Sequence, residues 1–426
     1  MFIFAADMKG TPENLVTNNT VVTLPCGLRI AFRKATSSVA YCALSIQSGT
    51  ADEPAARHGI AHMTEHMIFK GCAKRSATAI NNRLERVGGE LNAYTTKEET
   101  VVYSTSLKED LERAADLIFE IVFTSLFDSR ELEKEKSVVA DEINMCKDTP
   151  SDFIFEDFEA ALYKGHPLAR NILGTTASLK HISSQDIKDY VRQMFVPAAM
   201  SFVVVADTSL EEITAMVQKI ISKYVPDGAS SILKPAKRQK PECRLFCIDK
   251  VRKYHQANCI IGGEGYSLYD PRRVSLVLLC NILGGPASNS RLNNLLREKK
   301  ALVYNIEANY TQYATTGVAT IYFGCDKENV DKCISLVQGE LERICREPMS
   351  ARSLAASKKQ LLAQLAISSE NGEAQALSIG KSVLSYGSFL SDEEVRDRVE
   401  AVTAEQLLDT AREVFGRDRL SVLIYR

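Results

Sequence analysis

The chain has 426 residues, and its 52 Lys and Arg residues nearly balance its 54 Asp and Glu residues, for a formal charge of −2. This length predicts two or three domains, and the apolar content of 45% is ordinary for a globular protein. A nucleic-acid-binding protein usually carries a basic excess, so the charge argues against that class. No apolar run reaches the roughly 18 residues that a membrane-spanning helix needs, so we expect no membrane partner.

The first residues and the cysteines of the sequence indicate the cellular compartment of the protein. Residues 1–7 lack the basic start and the apolar length of a signal peptide. The eleven cysteines are scattered and form no CxxC pair, which is typical of free thiols in a reducing compartment. We therefore expect a cytoplasmic protein.

The predicted elements of the first half run from strands to helices. Alternating apolar residues predict strands at 21–33, around a Pro-Cys-Gly turn, and at 40–47. Helical spacing follows at 58–71, with Gly71 as the expected C-cap. A hairpin is predicted at 90–105 and an amphipathic helix at 111–122. Ser183, with Asp186 three residues later, predicts the capped start of a helix that precedes an apolar strand at 201–205.

The second half repeats this order at a nearly constant offset. An amphipathic helix at 330–344 matches the one at 111–122 with an offset of 219. A helix capped by Thr403 and a strand at 421–425 match their counterparts with an offset of 220. We therefore predict two homologous domains.

The predicted domains are 1–225 and 243–426, joined by a linker at 226–242 that is rich in Pro, Gly and Ser. Strands and helices mix without strict βαβ alternation. The predicted fold class is α+β: two α/β-sandwich domains, each a mostly antiparallel sheet with helices packed on one face.

The helix at 58–71 contains His62-Met63-Thr64-Glu65-His66. Two histidines four residues apart leave the same helix face and can hold one divalent ion, and the carboxylate of Glu65 can reach a metal-bound water. This order of residues is the inverted zinc-protease motif. The alternative is a pair of surface histidines beside a solvated glutamate.

A catalytic zinc site needs a third protein ligand. The helix-forming run at 131–143 contains Glu135 and Glu142, which are seven residues apart and share a face. On the charge pattern alone, the ordinary interpretation is a solvated acidic helix.

The combination of His62-x-x-Glu65-His66 with Glu142 before Ile143 resembles the pitrilysin/insulinase family of zinc peptidases. The two-domain length resembles the mitochondrial-processing-peptidase-like branch of that family. Further family-like segments lie at 88–95, 165–174 and 282–304.

The resemblance implies one zinc ion per chain, with His62, His66 and Glu142 as its ligands and Glu65 as the general base. By the same resemblance, Glu135 orients the residues of the zinc site. The segment at 272–285 corresponds to the zinc helix but has no histidines, so the second domain is expected to hold no zinc.

The resemblance also implies a substrate-binding set. Asn92, Ala93, Tyr94 and Thr95 match the edge strand that pairs with an extended peptide. Arg297 and Tyr304, seven residues apart, match a pair that binds the substrate backbone and the oxyanion; the alternative is an ordinary helix arginine and a buried strand tyrosine. Asp152 and Glu156 match acidic positions that grip an arginine upstream of the cut; the alternative is a solvated acidic face.

The function implied is a zinc metalloendopeptidase acting on short or unfolded polypeptides inside a closing chamber. The family's chamber needs four domains, so the resemblance implies a homodimer in which Tyr304 of one chain completes the His62 site of the other. A non-catalytic structural or peptide-holding subunit is the main alternative, and a zinc hydrolase for non-peptide substrates is a third.

Overall fold

The computed structural model describes residues 21–225, 238–252 and 254–426. Residues 1–7 and most of the predicted linker lie outside this range, and the linker residues 238–242 are in neither helix nor strand. None of the helices in the described residues combines the length and the hydropathy that crossing a bilayer requires.

The described strands are β1 (Val21–Thr23), β2 (Arg29–Lys34), β3 (Val39–Ile46), β4 (Glu90–Thr95), β5 (Thr100–Leu107), β6 (Met200–Ala206), β7 (Cys247–Lys250), β8 (Ala257–Gly265), β9 (Val303–Gln312), β10 (Gly317–Cys325) and β11 (Ser421–Tyr425).

The described α-helices are α1 (Ile60–Ile68), α2 (Ala77–Glu85), α3 (Leu111–Thr124), α4 (Ser129–Asp148), α5 (Pro150–Leu162), α6 (Thr176–Leu179), α7 (Ser184–Met194), α8 (Leu210–Ile221), α9 (Arg273–Gly284), α10 (Val330–Arg346), α11 (Ala351–Ser368), α12 (Gly372–Tyr386), α13 (Asp392–Glu400) and α14 (Ala404–Phe415). A short 3₁₀ helix at Thr50–Asp52 and a π-helix at Asn293–Glu298 are used below.

The described residues form two compact units that do not coincide with the two halves of the sequence. The first unit contains residues 21–143, 170–225 and 367–391, and the second contains the rest. The predicted domain limits follow the sequence repeat. In the structure, residues 144–169 of the first half belong to the second unit, and residues 367–391 of the second half belong to the first unit.

The first unit has a six-stranded sheet in the order β1-β2-β6-β3-β5-β4. Its neighbouring strands are antiparallel, apart from the parallel pair β2–β6. β4 ends the sheet and pairs with β5 in a register that sets Asn92 opposite Tyr103. One edge of β4 is therefore at the border of the sheet.

The second unit has a five-stranded sheet in the order β7-β11-β8-β10-β9. It also has one parallel pair, β7–β11, among antiparallel neighbours. This order matches β2-β6-β3-β5-β4 strand for strand, so the prediction of two homologous, mostly antiparallel α+β domains is confirmed.

Helices cover both faces of the first sheet, whereas the sequence analysis expected them on one face. On one face, α1 and α3 pack in a large core with Ile30, Leu44 and Phe202. On the other face, Ala376, Ile379 and Val383 of α12 pack against Ala43 and Val203. In the second unit, α5 packs against β8 and β11. The sequence indicates that a helix has an apolar face. It does not indicate which sheet face that helix covers, because this depends on long-range packing.

The capped helices form as predicted. Ser183 accepts a hydrogen bond from the Asp186 amide in a reciprocal capping box at the start of α7, and Thr403 does the same with Gln406 for α14. The eleven cysteines are free thiols, as predicted.

Candidate metal centre

α1 holds the histidine motif in a largely buried part of the first unit, where the side chains of His62 and His66 are 11% and 17% exposed. Its apolar side chains, Ile60, Met63 and Met67, are at most 1% exposed and pack in the core. His62 and His66 leave a different face of the helix, and their ring centroids are 4.7 Å apart. The helix was predicted over 58–71 with Gly71 as its C-cap, but it ends at Ile68, and Gly71 follows outside it.

α4 supplies two carboxylates to the same place. Leu132, Val139 and Ile143 are buried and fix the orientation of this helix. Glu142 places Oε2 3.5 Å from His66 Nε2 and 3.9 Å from His62 Nε2. Within the described residues, His62, His66 and Glu142 form a group whose donor atoms all lie within 4.8 Å of one another.

These residues fit a zinc ion. Two imidazoles and one carboxylate form a donor set that catalytic zinc sites use, with a further position left for water. Burial, and to a smaller extent the electrostatic effect of the neighbouring His66, lowers the pKa of His62 to about 3. A neutral imidazole, which has a lone pair to donate, is the form that binds a metal.

Glu135 contacts His66 at Nδ1, the ring nitrogen that does not face Glu142. Its side chain is buried, and Oε2 accepts a hydrogen bond of 3.1 Å from His66 Nδ1. A proton on Nδ1 leaves Nε2 unprotonated and turned towards Glu142. The other carboxylate oxygen lies 2.7 Å from Nζ of Lys70. Lys70 was not predicted from the sequence, and it lies two residues after the end of α1.

Glu65 faces the edge strand. The hydroxyl of Thr95, the last residue of β4, donates a 2.6 Å hydrogen bond to Glu65 Oε2. Burial raises the pKa of Glu65, and this hydrogen bond opposes the shift. The structure thus joins the glutamate of the motif to the strand that contains Asn92, Ala93 and Tyr94. Sequence analysis had given Thr95 only a role in binding a peptide backbone.

The remaining predicted residues lie in the second unit. Asp152 and Glu156 are one turn apart on α5. Arg297 is exposed on the π-helix. Tyr304 is 54% exposed at the start of β9, and its hydroxyl donates to Asp326 Oδ1 at 2.8 Å. Tyr304 is therefore not the buried strand tyrosine that the sequence left open as an alternative.

Two family models match the chain: "Insulinase (Peptidase family M16)" over residues 29–176 and "Peptidase M16 inactive domain" over residues 181–361. A Bacillus subtilis protein described as the uncharacterized zinc protease YmxG is 31% identical over 379 residues, covering 89% of this chain and 91% of its own. An uncharacterized zinc protease of Streptomyces coelicolor is 29% identical and covers 93% of this chain and 87% of its own.

Two solved structures share the fold. A peptidase M16 inactive domain from Pseudomonas fluorescens aligns with a TM-score of 0.85 at 21% identity, over 96% of this chain and 98% of that one. A protease from Helicobacter pylori aligns with a TM-score of 0.86 at 19% identity, over 96% and 99%. These two structures show the fold alone. The family models and the B. subtilis relative show that the chain belongs to peptidase family M16, the insulinase family of zinc peptidases.

Proposed function

We propose that this protein is a zinc-dependent endopeptidase that cleaves short or unfolded polypeptides held in an extended conformation. The observation that carries the proposal is the convergence of His62, His66 and Glu142 beside Glu65, which is itself hydrogen bonded to the end of β4. The names of the B. subtilis and S. coelicolor relatives support the same activity.

The proposed chemistry divides between the metal and the chain. His62, His66 and Glu142 would hold a zinc ion, which would act as a Lewis acid and lower the pKa of water. Glu65 takes the proton that the attacking water loses and returns a proton to the leaving amine. Its pKa is raised by burial, which makes it a better base than an exposed carboxylate. Thr95 holds one oxygen of Glu65, and Glu135 holds the ring of His66.

β4 is the proposed substrate-binding element. It is the last strand of its sheet, so an extended peptide can add to its border through main-chain hydrogen bonds. Such bonds place few demands on side chains. Because Thr95 at one end of β4 contacts Glu65, a peptide added along β4 runs towards the proposed base.

We further propose that the protein acts as a homodimer with a closing chamber, in the manner of the processing-peptidase branch. The exposure of Arg297 and Tyr304 supports this, since both side chains are available to a second chain. In this arrangement the Tyr304 hydroxyl leaves Asp326 and donates to the oxyanion formed in the partner's site. The free thiols support the proposed reducing, cytoplasmic compartment.

The proposal is tested with a quenched-fluorescence peptide library and zinc analysis of the purified protein. The expected result is about one zinc ion per chain, and cleavage that a chelator abolishes and added zinc restores. A protein that binds zinc and peptide but cleaves nothing would favour the alternative of a peptide-holding subunit. A protein that cleaves other zinc-hydrolase substrates but no peptide would favour the third alternative, a zinc hydrolase for non-peptide substrates.

A further inference from the structure

The helix that carries the histidine motif begins without a side-chain cap of its own. The residue at the N-cap of α1 is Gly59, with φ of 93°, in the left-handed region. Helices usually begin with Ser, Thr, Asp or Asn, whose side chain accepts a hydrogen bond from a first-turn amide. A Cβ on Gly59 would lie 3.1 Å from the Gly174 Cα and from the Leu173 carbonyl oxygen. The close approach of Gly174 therefore excludes a capping side chain at this position.

Glu53 supplies the missing cap from six residues earlier. Its Oε2 accepts from the Gly59 amide and its Oε1 from the Ala61 amide, both at 3.0 Å. One carboxylate thus satisfies two of the amides that a helix start leaves without partners. A negative charge at this end of a helix also interacts favourably with the helix dipole.

The cap is a costly one, because Glu53 is only 5% exposed. Burial raises its pKa to about 7, despite the opposing effects of the two amides and of Arg170. Burial destabilises the charged form of such a group and shifts its pKa. Groups of this kind are more typical of functional sites than of ordinary helix starts. An exposed cap such as Glu212, at the start of α8, stabilises a helix without that cost.

The segment that carries Glu53 also contacts the turn between β4 and β5. The Thr50 and Ala51 amides donate to the carbonyls of Thr96 and Lys97, at 3.2 and 2.8 Å. Thr96 directly follows Thr95, the residue that is bonded to Glu65. The start of α1 and the end of β4 are therefore both attached to one short 3₁₀ turn.

Arg170 links the same two elements by a second route. Its Nη1 donates to the backbone carbonyl of Glu53 at 2.6 Å. Its own carbonyl accepts from Nζ of Lys97, in the β4–β5 turn, at 3.0 Å. Glu53 therefore lies in a continuous network between the zinc-site helix and the substrate-strand turn.

We infer that Glu53 is a positioning residue, which fixes the start of α1 relative to the β4–β5 turn and so holds Glu65 on Thr95 and directs His62 and His66 towards Glu142. Its carboxylate hydrogen bonds to the Gly59 and Ala61 amides rather than to these side chains, and it acts through the helix backbone. Its effect on turnover rests on the proposed function, whereas its effect on metal affinity does not.

The test compares Glu53→Gln, Glu53→Asp and the matched cap variant Glu212→Gln at pH 8. Glu53→Gln keeps the size of the side chain but offers one acceptor for two amides. We expect its zinc dissociation constant, measured by chelator competition, to rise about ten-fold. We expect kcat to fall at least ten-fold with KM unchanged, and Tm to stay level or rise. Glu53→Asp keeps the charge and should recover part of both losses.

Glu212→Gln should change neither the zinc affinity nor kcat, although it weakens the cap of α8. Wild-type zinc affinity and kcat in Glu53→Gln would overturn the inference while leaving the proposed function intact. Equal losses in the Gln and Asp variants that follow a lower Tm, or failure of both variants to fold, would show a structural role only and also overturn it. A wild-type protein that cleaves no peptide, with zinc affinity reduced in Glu53→Gln, would refute the proposed function and support the inference.

Discussion

Replacing Glu135 with Gln should weaken zinc binding although Glu135 is not among the proposed ligands. Its two oxygens have two partners, His66 Nδ1 at 3.1 Å and Lys70 Nζ at 2.7 Å. Glutamine has one oxygen, so whichever partner keeps it, the other donor meets an amide NH₂ group. Loss of such a contact to a metal-binding histidine typically reduces metal affinity or activity 10- to 100-fold. This corresponds to about 1.4 to 2.7 kcal/mol.

The assay is competition for zinc against a chromogenic chelator, with Glu133→Gln as the control. Glu133 lies on the same helix, but its side chain is 70% exposed, and among the described residues its ion pair is with Lys136 alone. The control removes an equal charge from α4 and should leave the dissociation constant unchanged, because exposed ion pairs contribute little. A Glu135→Gln protein that binds zinc within two-fold of wild type would refute the assignment of Glu135 as the residue that orients His66.

Three further predictions concern pH, specificity and assembly. Burial raises the pKa of Glu53 from 4.5 to about 7. The free energy of unfolding of the metal-free wild type, relative to that of Glu53→Gln, should therefore fall by roughly 3 kcal/mol between pH 4.5 and 7 and then stay level. A difference in the free energy of unfolding that does not change with pH in denaturant titrations would contradict this. Charge reversal at Asp152 and Glu156 should lower kcat/KM about ten-fold or more for peptides with an arginine upstream of the cut, and an equal loss on uncharged peptides would argue against arginine binding. Inactive Glu65→Gln and impaired Tyr304→Phe should together recover about a quarter of wild-type activity when they are mixed and their subunits exchange. Half of the randomly assorted dimers are mixed, and each mixed dimer has one intact site of two. No recovery of activity despite subunit exchange would contradict the shared site.

Local sequence signals predicted the elements whose causes are local. The capping boxes at Ser183 and Thr403 are patterns that span four residues, and both helices begin where the patterns indicate. The four-residue spacing of His62 and His66 likewise predicted two imidazoles on one helix face. These features need no knowledge of the rest of the chain.

Features that depend on distant residues were not predictable in this way. The C-cap was expected at Gly71, but the Cys72 segment bridges to Ser125 and α1 ends at Ile68. Glu53 has no pattern relating it to Gly59, because the need for a remote cap comes from the Gly174 contact. Similarly, no periodicity indicates which sheet α12 covers.

The proposed role of Glu65 is that of the base in a zinc peptidase whose metal is held by other residues. The most direct measurement is parallel zinc analysis and peptide turnover of wild type and Glu65→Gln. We predict that the variant keeps about one zinc ion per chain and the fold of the wild type, while kcat falls by several orders of magnitude. Near-normal turnover in the zinc-loaded variant would contradict this role.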